Sequence, residues 1–224
     1  MKKILLLLLP FTGFSQYFQQ DVSYQIEVKL DDRNHVLRGN ESIAYKNNSS
    51  SDLNEIYMHI WPNAYKNKET ALAQQLKRNE GDKLAKADPT DLGFIDSLDF
   101  KINGLSASWE YSAEHIDIAV IHLADPLRPG ETLLISTPFK VQIPSGSLSR
   151  LGHIGQSYQI TQWYPKPAVY DQNGWNAMPY LNQGEFYSEF GSFDVKITVP
   201  VNYVVGATGE LQTQSELNFL DTKV

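Results

Sequence analysis

The chain has 224 residues, a formal net charge of -7 and no cysteine. An acidic balance argues against a nucleic-acid partner, which needs a basic face. The lack of cysteine excludes disulfides, thiolate metal sites and cysteine nucleophiles, so core packing must hold the fold.

The first residues read as a secretory signal peptide. Lys2 and Lys3 form a positive start, residues 4–9 are apolar, Pro10 breaks the run, and Gly13 and Ser15 precede a cleavage point after Ser15. The apolar run falls far short of the roughly 20 residues a spanning helix needs. No later segment is apolar enough to cross a bilayer, and no Cys follows the cleavage point to carry a lipid. The expectation is an exported protein, periplasmic or secreted, with residues 16–224 as one β domain.

Strand signals follow. Tyr24, Ile26, Val28 and Leu30 alternate with polar residues, the period of a half-buried strand. Residues 31–34 form a turn. A second strand runs from His35 to Tyr45, with Gly39 expected as a bulge or bend. Residues 53–61 are extended and end at Pro62. Residues 66–87 break the pattern: Ala71, Leu72, Gln75 and Leu76 stand at helical spacing among good helix formers, and Gly81 is placed to end the helix. Its apolar stripe is narrow, so it is expected on the surface, as an insertion with a solvated charged face.

Strands resume at 93–102, turn at Asn103-Gly104, and continue around Trp109, at 116–123 and at 132–141. Residues 144–155 read as a flexible loop. After them, ten of the 36 positions from 158 to 193 are aromatic, where the whole chain has 12%. Such a stretch forms either core or the wall of a site. A strand at 192–199 and an extended piece near 203–211 close the pattern. No internal repeat is present. The fold class is therefore all-β, a mostly antiparallel sheet or sandwich with one short surface helical insertion.

Candidates for chemistry are sparse. The five histidines, His35, His59, His115, His122 and His153, include no HExxH pair, and His115 and His122 face opposite sides of a strand. No metal site is expected in this chain. Ser145, Ser147 and Ser149 precede His153 without a GxSxG elbow, and Arg150 beside them reads as a surface cation. Glu185, Glu189, Asp171 and Asp194 could supply paired carboxylates, but acid–base work needs two held in different environments. No catalytic residue is assigned.

The run TQWYPKPAVYD, then GWN, EFYSEFGSFDVKITVP and VVGATGEL, resembles the N-terminal domain of M1-family zinc aminopeptidases, in their secreted bacterial branch. Leu37-x-Gly39-x-Glu41, YKNNSSSDLNEIYMHIWPNAY and IPSGSLSRLG add to it, so that the resemblance covers nearly all of residues 16–224. It implies a saddle of mostly antiparallel strands that shapes the substrate cleft. It implies that zinc, its HExxH ligands and a GxMEN-type loop belong to a separate catalytic domain. None of those motifs is in this sequence, so the β domain is expected to be C-terminally incomplete and inactive alone. The family's TQ-x-[EQ] segment matches Thr161-Gln162-Trp163, which implies that Gln162 hydrogen-bonds the N-terminal end of a peptide substrate. The next family position, an acid or amide, is Tyr164 here, and Tyr164 is carried as the second substrate-binding candidate.

The other reading is a non-catalytic β-sandwich module that presents aromatics to a peptide or glycan. Its sign would be exposed, coplanar Trp163 and Trp175.

Overall fold

The computed structural model describes residues 17–222; the signal-peptide reading of residues 1–15 lies outside them. In chain order the strands are β1 (Asp21–Asp31), β2 (Val36–Lys46), β3 (Leu53–His59), β4 (Phe94–Asp96), β5 (Lys101–Ile102), β6 (Leu105–Ser106), β7 (Ser108–Tyr111), β8 (Ile118–Leu127) and β9 (Thr132–Gln142). They continue as β10 (Gly152–Ile154), β11 (Ser157–Gln159), β12 (Lys166–Pro167), β13 (Val169–Asp171), β14 (Gly174–Asn176) and β15 (Gly191–Thr198). Helix α1 (Ala71–Asn79) lies between β3 and β4, and α2 (Gln214–Asp221) follows β15.

Two sheets carry the fold. A seven-stranded sheet has the order β15-β1-β2-β9-β5-β6, with β4 on the same edge of β9 as β5. A four-stranded sheet has the order β12-β3-β8-β7. The period-two expectation holds in β1, where Val22, Tyr24, Ile26, Val28 and Leu30 are buried and their neighbours exposed. These residues meet Ile43 and Tyr45 of β2, Ile135 and Val141 of β9, and Ile56, Met58 and Ile121 of the second sheet in one core. The all-β class is as expected. The pairing is antiparallel except for β15, which lies parallel to β1.

Gly39 is not a bulge. The β1–β2 and β2–β9 registers run through it unbroken, with Phe139 directly across. A Cβ there would lie 2.4 Å from Cζ of Phe139 and 2.7 Å from the Glu27 carbonyl oxygen, so glycine makes room for the ring. The irregularity falls instead in β3, between Leu53 and Glu55. The Asn103-Gly104 turn stands as read: both residues have positive φ, which a two-residue hairpin of this hand requires.

Helix α1 begins where Thr70 accepts a hydrogen bond from the Ala73 N–H, and Gly81 follows its last turn with φ 84°. Its apolar stripe is fully used. Leu72, Ala73 and Leu76 join Trp61, Tyr65, Leu84, Leu148, Leu151 and Tyr180 in a second core beside the main one. The 144–155 segment is therefore an anchored strap rather than a free loop, with Leu148 and Leu151 buried in that core. Residues 203–211 form no strand; they lead into α2, which the periodicity did not reveal. No helix among the described residues is long and apolar enough to cross a membrane.

Candidate functional site

The aromatic segment enters the fold through β12. Pro165 and Pro167 hold it extended, so that Lys166 pairs across from His59 and Pro167 across from Met58. The Ala168 N–H continues the ladder to the Tyr57 carbonyl at 2.8 Å. This pairing carries the Lys166 side chain inward beside Trp61, with Nζ 4.2 Å from the ring centre. Lys166 Nζ also donates a hydrogen bond to Oε1 of Gln162. His59 stacks on Trp61 at 4.3 Å between ring centres, and the Trp61 indole N–H donates to the Met178 carbonyl at 3.0 Å.

Gln162 thus lies in a small polar cluster with Lys166, Trp61 and His59. Its backbone has φ 53°, a left-handed conformation that costs a non-glycine residue energy and persists only when surroundings enforce it. Lys166 is buried, and burial pulls its ammonium down to about 7. Burial, followed by the nearby Lys166 charge, holds His59 down at about 3, with the Asn176 backbone opposing. His59 is a neutral ring in the core, and neither nitrogen makes a hydrogen bond of good geometry among the described residues. The cluster offers a near-neutral amine, a carbonyl with one lone pair left, and the Gln162 Nε2 donor, which makes no hydrogen bond among the described residues.

Tyr164 goes elsewhere. It packs edge-on against Tyr24 at 5.7 Å and against Phe193 at 6.1 Å. Burial, then the Glu41 carboxyl, raise its phenol to about 12. Glu41 is itself sealed in the main core without a hydrogen-bond partner for either oxygen among the described residues, and burial holds it well above the usual carboxylate range. The structure therefore separates the two site candidates: Gln162 meets the Lys166 cluster, and Tyr164 is a half-buried aromatic packed against the main core.

The remaining candidates are structural. Ser149 donates to Oδ1 of Asn182 at 2.6 Å, and Arg150 Nη2 donates to the Leu181 carbonyl and lies 4.6 Å from the Phe186 ring. Tyr65 donates to the Tyr180 hydroxyl at 2.9 Å, and buried Asp117 accepts the Tyr180 N–H at 2.7 Å. The Ser149 and Arg150 contacts strap residues 145–151 onto the aromatic segment. His153 bridges Ser145 through its backbone, but its ring stacks on His35 at 3.6 Å and makes no hydrogen bond to a serine among the described residues. Glu185 is exposed; Glu189 is half-buried, and burial raises its carboxyl. Trp163 and Trp175 are half-buried, Trp163 against Phe139 and Tyr164, Trp175 against Tyr57 and Tyr170. They form no flat exposed platform.

The residues present do not fit a zinc ion. Among the described residues no three His, Asp or Glu side chains converge as a metal site. His122 meets Glu55 and Glu110, but through opposite ring nitrogens, so the two carboxylates cannot share one ion.

Lys166, His59 and Trp61 were missed as site residues. Nothing in the local sequence marks Lys166 as buried; its pairing with His59 shows that it turns inward.

The fold and the cluster define a two-sheet β domain with one strained, polar spot on an otherwise aromatic wall. No protein-family model matches the chain, and no curated protein does. Its structural neighbours are M1 zinc metallopeptidases. One is a mutant M1 zinc metallopeptidase from Deinococcus radiodurans bound to a Tyr-Ser-Ala substrate, at 16% identity and a TM-score of 0.47, covering 87% of this chain and 36% of that one. Another is a mutant two-domain M1 zinc metallopeptidase bound to L-arginine, at 15% identity and a TM-score of 0.46, covering 88% and 36%. A third is the M1 zinc metallopeptidase from Deinococcus radiodurans, at 16% identity and a TM-score of 0.45, covering 88% and 35%. The chain spans about a third of the length of these structures.

Proposed function

We propose that this chain is the N-terminal, cleft-shaping domain of an exported M1-like zinc metallopeptidase that acts on peptide N-termini. The reading rests on the TQWYPKPAVYD run and its downstream partners, and on one observation: Gln162 is held in a strained backbone by a buried lysine. In this reading the separate catalytic domain supplies zinc, which polarises the scissile carbonyl and activates water. This chain's residues position the substrate.

The geometry sharpens the role of Gln162. Its Oε1 already accepts from Lys166, so a peptide ammonium must share that oxygen with a second amine. Sharing is easiest when Lys166 is neutral, above about pH 7. Gln162 Nε2 is placed to donate to a peptide carbonyl in either state.

The test is NMR titration of the chain with a short peptide, with its amine free or acetylated. Shifts at the Gln162 side-chain amide that are larger for the free amine, and that strengthen from pH 6 to pH 8, are expected. Equal shifts for both peptides, or shifts confined to other residues, would contradict the assignment.

A further inference from the structure

Hairpin β10–β11 pairs with no third strand among the described residues. A two-stranded hairpin is marginal by itself. Its tip gains little from burial, because Ile154 is 75% exposed and residues 155–157 are exposed. Two sets of contacts hold it. On one side the backbone of His153 bridges to the strap, accepting from the Gly146 N–H at 2.8 Å and donating to the Pro144 carbonyl at 3.0 Å. On the other side the hairpin meets the β1–β2 turn through its rings. His153 stacks on His35 with ring centres 3.6 Å apart and planes within 11°, and the Tyr158 hydroxyl lies 2.7 Å from His35 Nδ1.

The hydrogen bonds assign both rings. The Tyr158 O–H donates to the Asp32 carbonyl at 3.2 Å, so His35 Nδ1 carries the proton that it shares with Tyr158. His153 Nδ1 faces the Gly155 carbonyl at 3.2 Å, and a carbonyl only accepts. Each neutral ring is therefore the Nδ1–H form. Each takes its next proton at Nε2, which has no hydrogen-bond partner among the described residues.

One such proton is tolerated, because an imidazolium over a neutral ring is attractive. The second sets two like charges at stacking distance. Around the pair stand Asp31 and Asp32 from the turn, Tyr158 from β11, and Tyr203 from the segment after β15. The two carboxylates favour a charged His35, but they are already engaged. Asp31 accepts from the backbone N–H groups of Arg33 and Asn34 and from the Asn34 amide, and Asp32 accepts from the Tyr203 hydroxyl. Burial, then His153, prevail over them and hold His35 below the usual histidine value of 6.5. A folded value below the unfolded one means that the contact is complete above about pH 6.5 and is lost as pH falls. The turn is held separately, since the His35 carbonyl accepts from the Ile143 N–H at 2.9 Å. The hairpin is the part free to move.

We infer that His35 and His153 form an acid-released clasp: once both rings are protonated they part, and the β10–β11 hairpin swings away from the β1–β2 turn while its backbone bridge to residues 144–146 holds. The clasp lies within this chain and needs no catalytic domain, so it stands apart from the proposed function.

The experiment follows the full chain by NMR from pH 7.5 to pH 5, reading the histidine Cε1–H resonances and the hydrogen-exchange protection of the amides in residues 153–159. Protection there should fall at least tenfold over the interval, in step with the second histidine proton, while the amides paired between β1 and β2 keep theirs. His153→Phe keeps a ring on His35 but cannot become charged, so its hairpin should lose less than twofold. Unchanged hairpin protection at pH 5 in the unaltered chain would overturn the inference, and that readout needs no variant. So would an equal loss in His153→Phe.

Discussion

Lys166 Nζ donates a hydrogen bond to Oε1 of Gln162, whose backbone lies at φ 53°. A buried amine and a left-handed residue each oppose folding. Here they are joined, four residues apart, across the end of β12. The β12–β3 pairing holds the arrangement, because it fixes Lys166 opposite His59, where its side chain is buried.

The first prediction concerns pH. Burial lowers Lys166 from 10.5 to about 7 in the fold. Between those values the unfolded chain binds the proton and the folded chain does not, so stability rises as pH rises through the window. The gain is on the order of 5 kcal/mol over the full interval. Urea denaturation at pH 7, 8 and 9.5 should show the rise, and Lys166→Met should flatten it. An identical slope in the variant would show that another group carries it.

The backbone at Gln162 separates two effects. Gln162→Ala loses the acceptor for Lys166 and keeps the strained φ; Gln162→Gly loses the same acceptor and relieves the strain. The glycine variant should be the more stable of the two by about 1 kcal/mol. Urea midpoints measure the difference, and a more stable alanine variant would mean that φ carries no strain.

Glu41 should show the opposite pH sign from Lys166. Its carboxyl is held well above 4.5 by burial, so the folded state keeps a proton that the unfolded state releases. Its contribution is fully present below about pH 4.5 and is lost as pH rises toward the folded value. Glu41→Gln should remove this loss, measured as the change in urea midpoint from pH 4.5 to pH 7 relative to the unaltered chain. An unchanged difference would contradict a neutral Glu41.

Gly39→Ala tests the close approach in the main core. The added methyl would overlap the Phe139 ring and the Glu27 carbonyl. A loss of about 1–3 kcal/mol is expected. Adding Phe139→Leu should recover part of it, because the ring gives way and the carbonyl does not. Thermal unfolding of the single and double variants reads this out.

The strands that build the main core were legible because a half-buried strand alternates, as Tyr24 to Leu30 does. The Asn103-Gly104 turn and the Gly81 stop were legible because few other residues take positive φ. Periodicity carries no strand direction, so the parallel placement of β15 was hidden. It shows that a helix has an apolar stripe but not what covers it, which is why the second core under Leu72 and Leu76 was not foreseen. Of the residues in the Lys166 cluster, Gln162 alone was read from the sequence as a substrate-binding candidate. Tyr164 follows it in the chain, but two residues along an irregular segment are enough to turn it against Tyr24 and Phe193. Lys166 was invisible because its burial depends on a long-range partner, His59.

The central claim is that this β domain works beside a zinc peptidase domain. The most direct measurement is the sequence of the coding DNA beyond the Val224 codon. The account predicts an HExxH motif there with a further glutamate downstream, in the same frame or after a single frameshift. A downstream sequence with no such motif in any forward frame would contradict it.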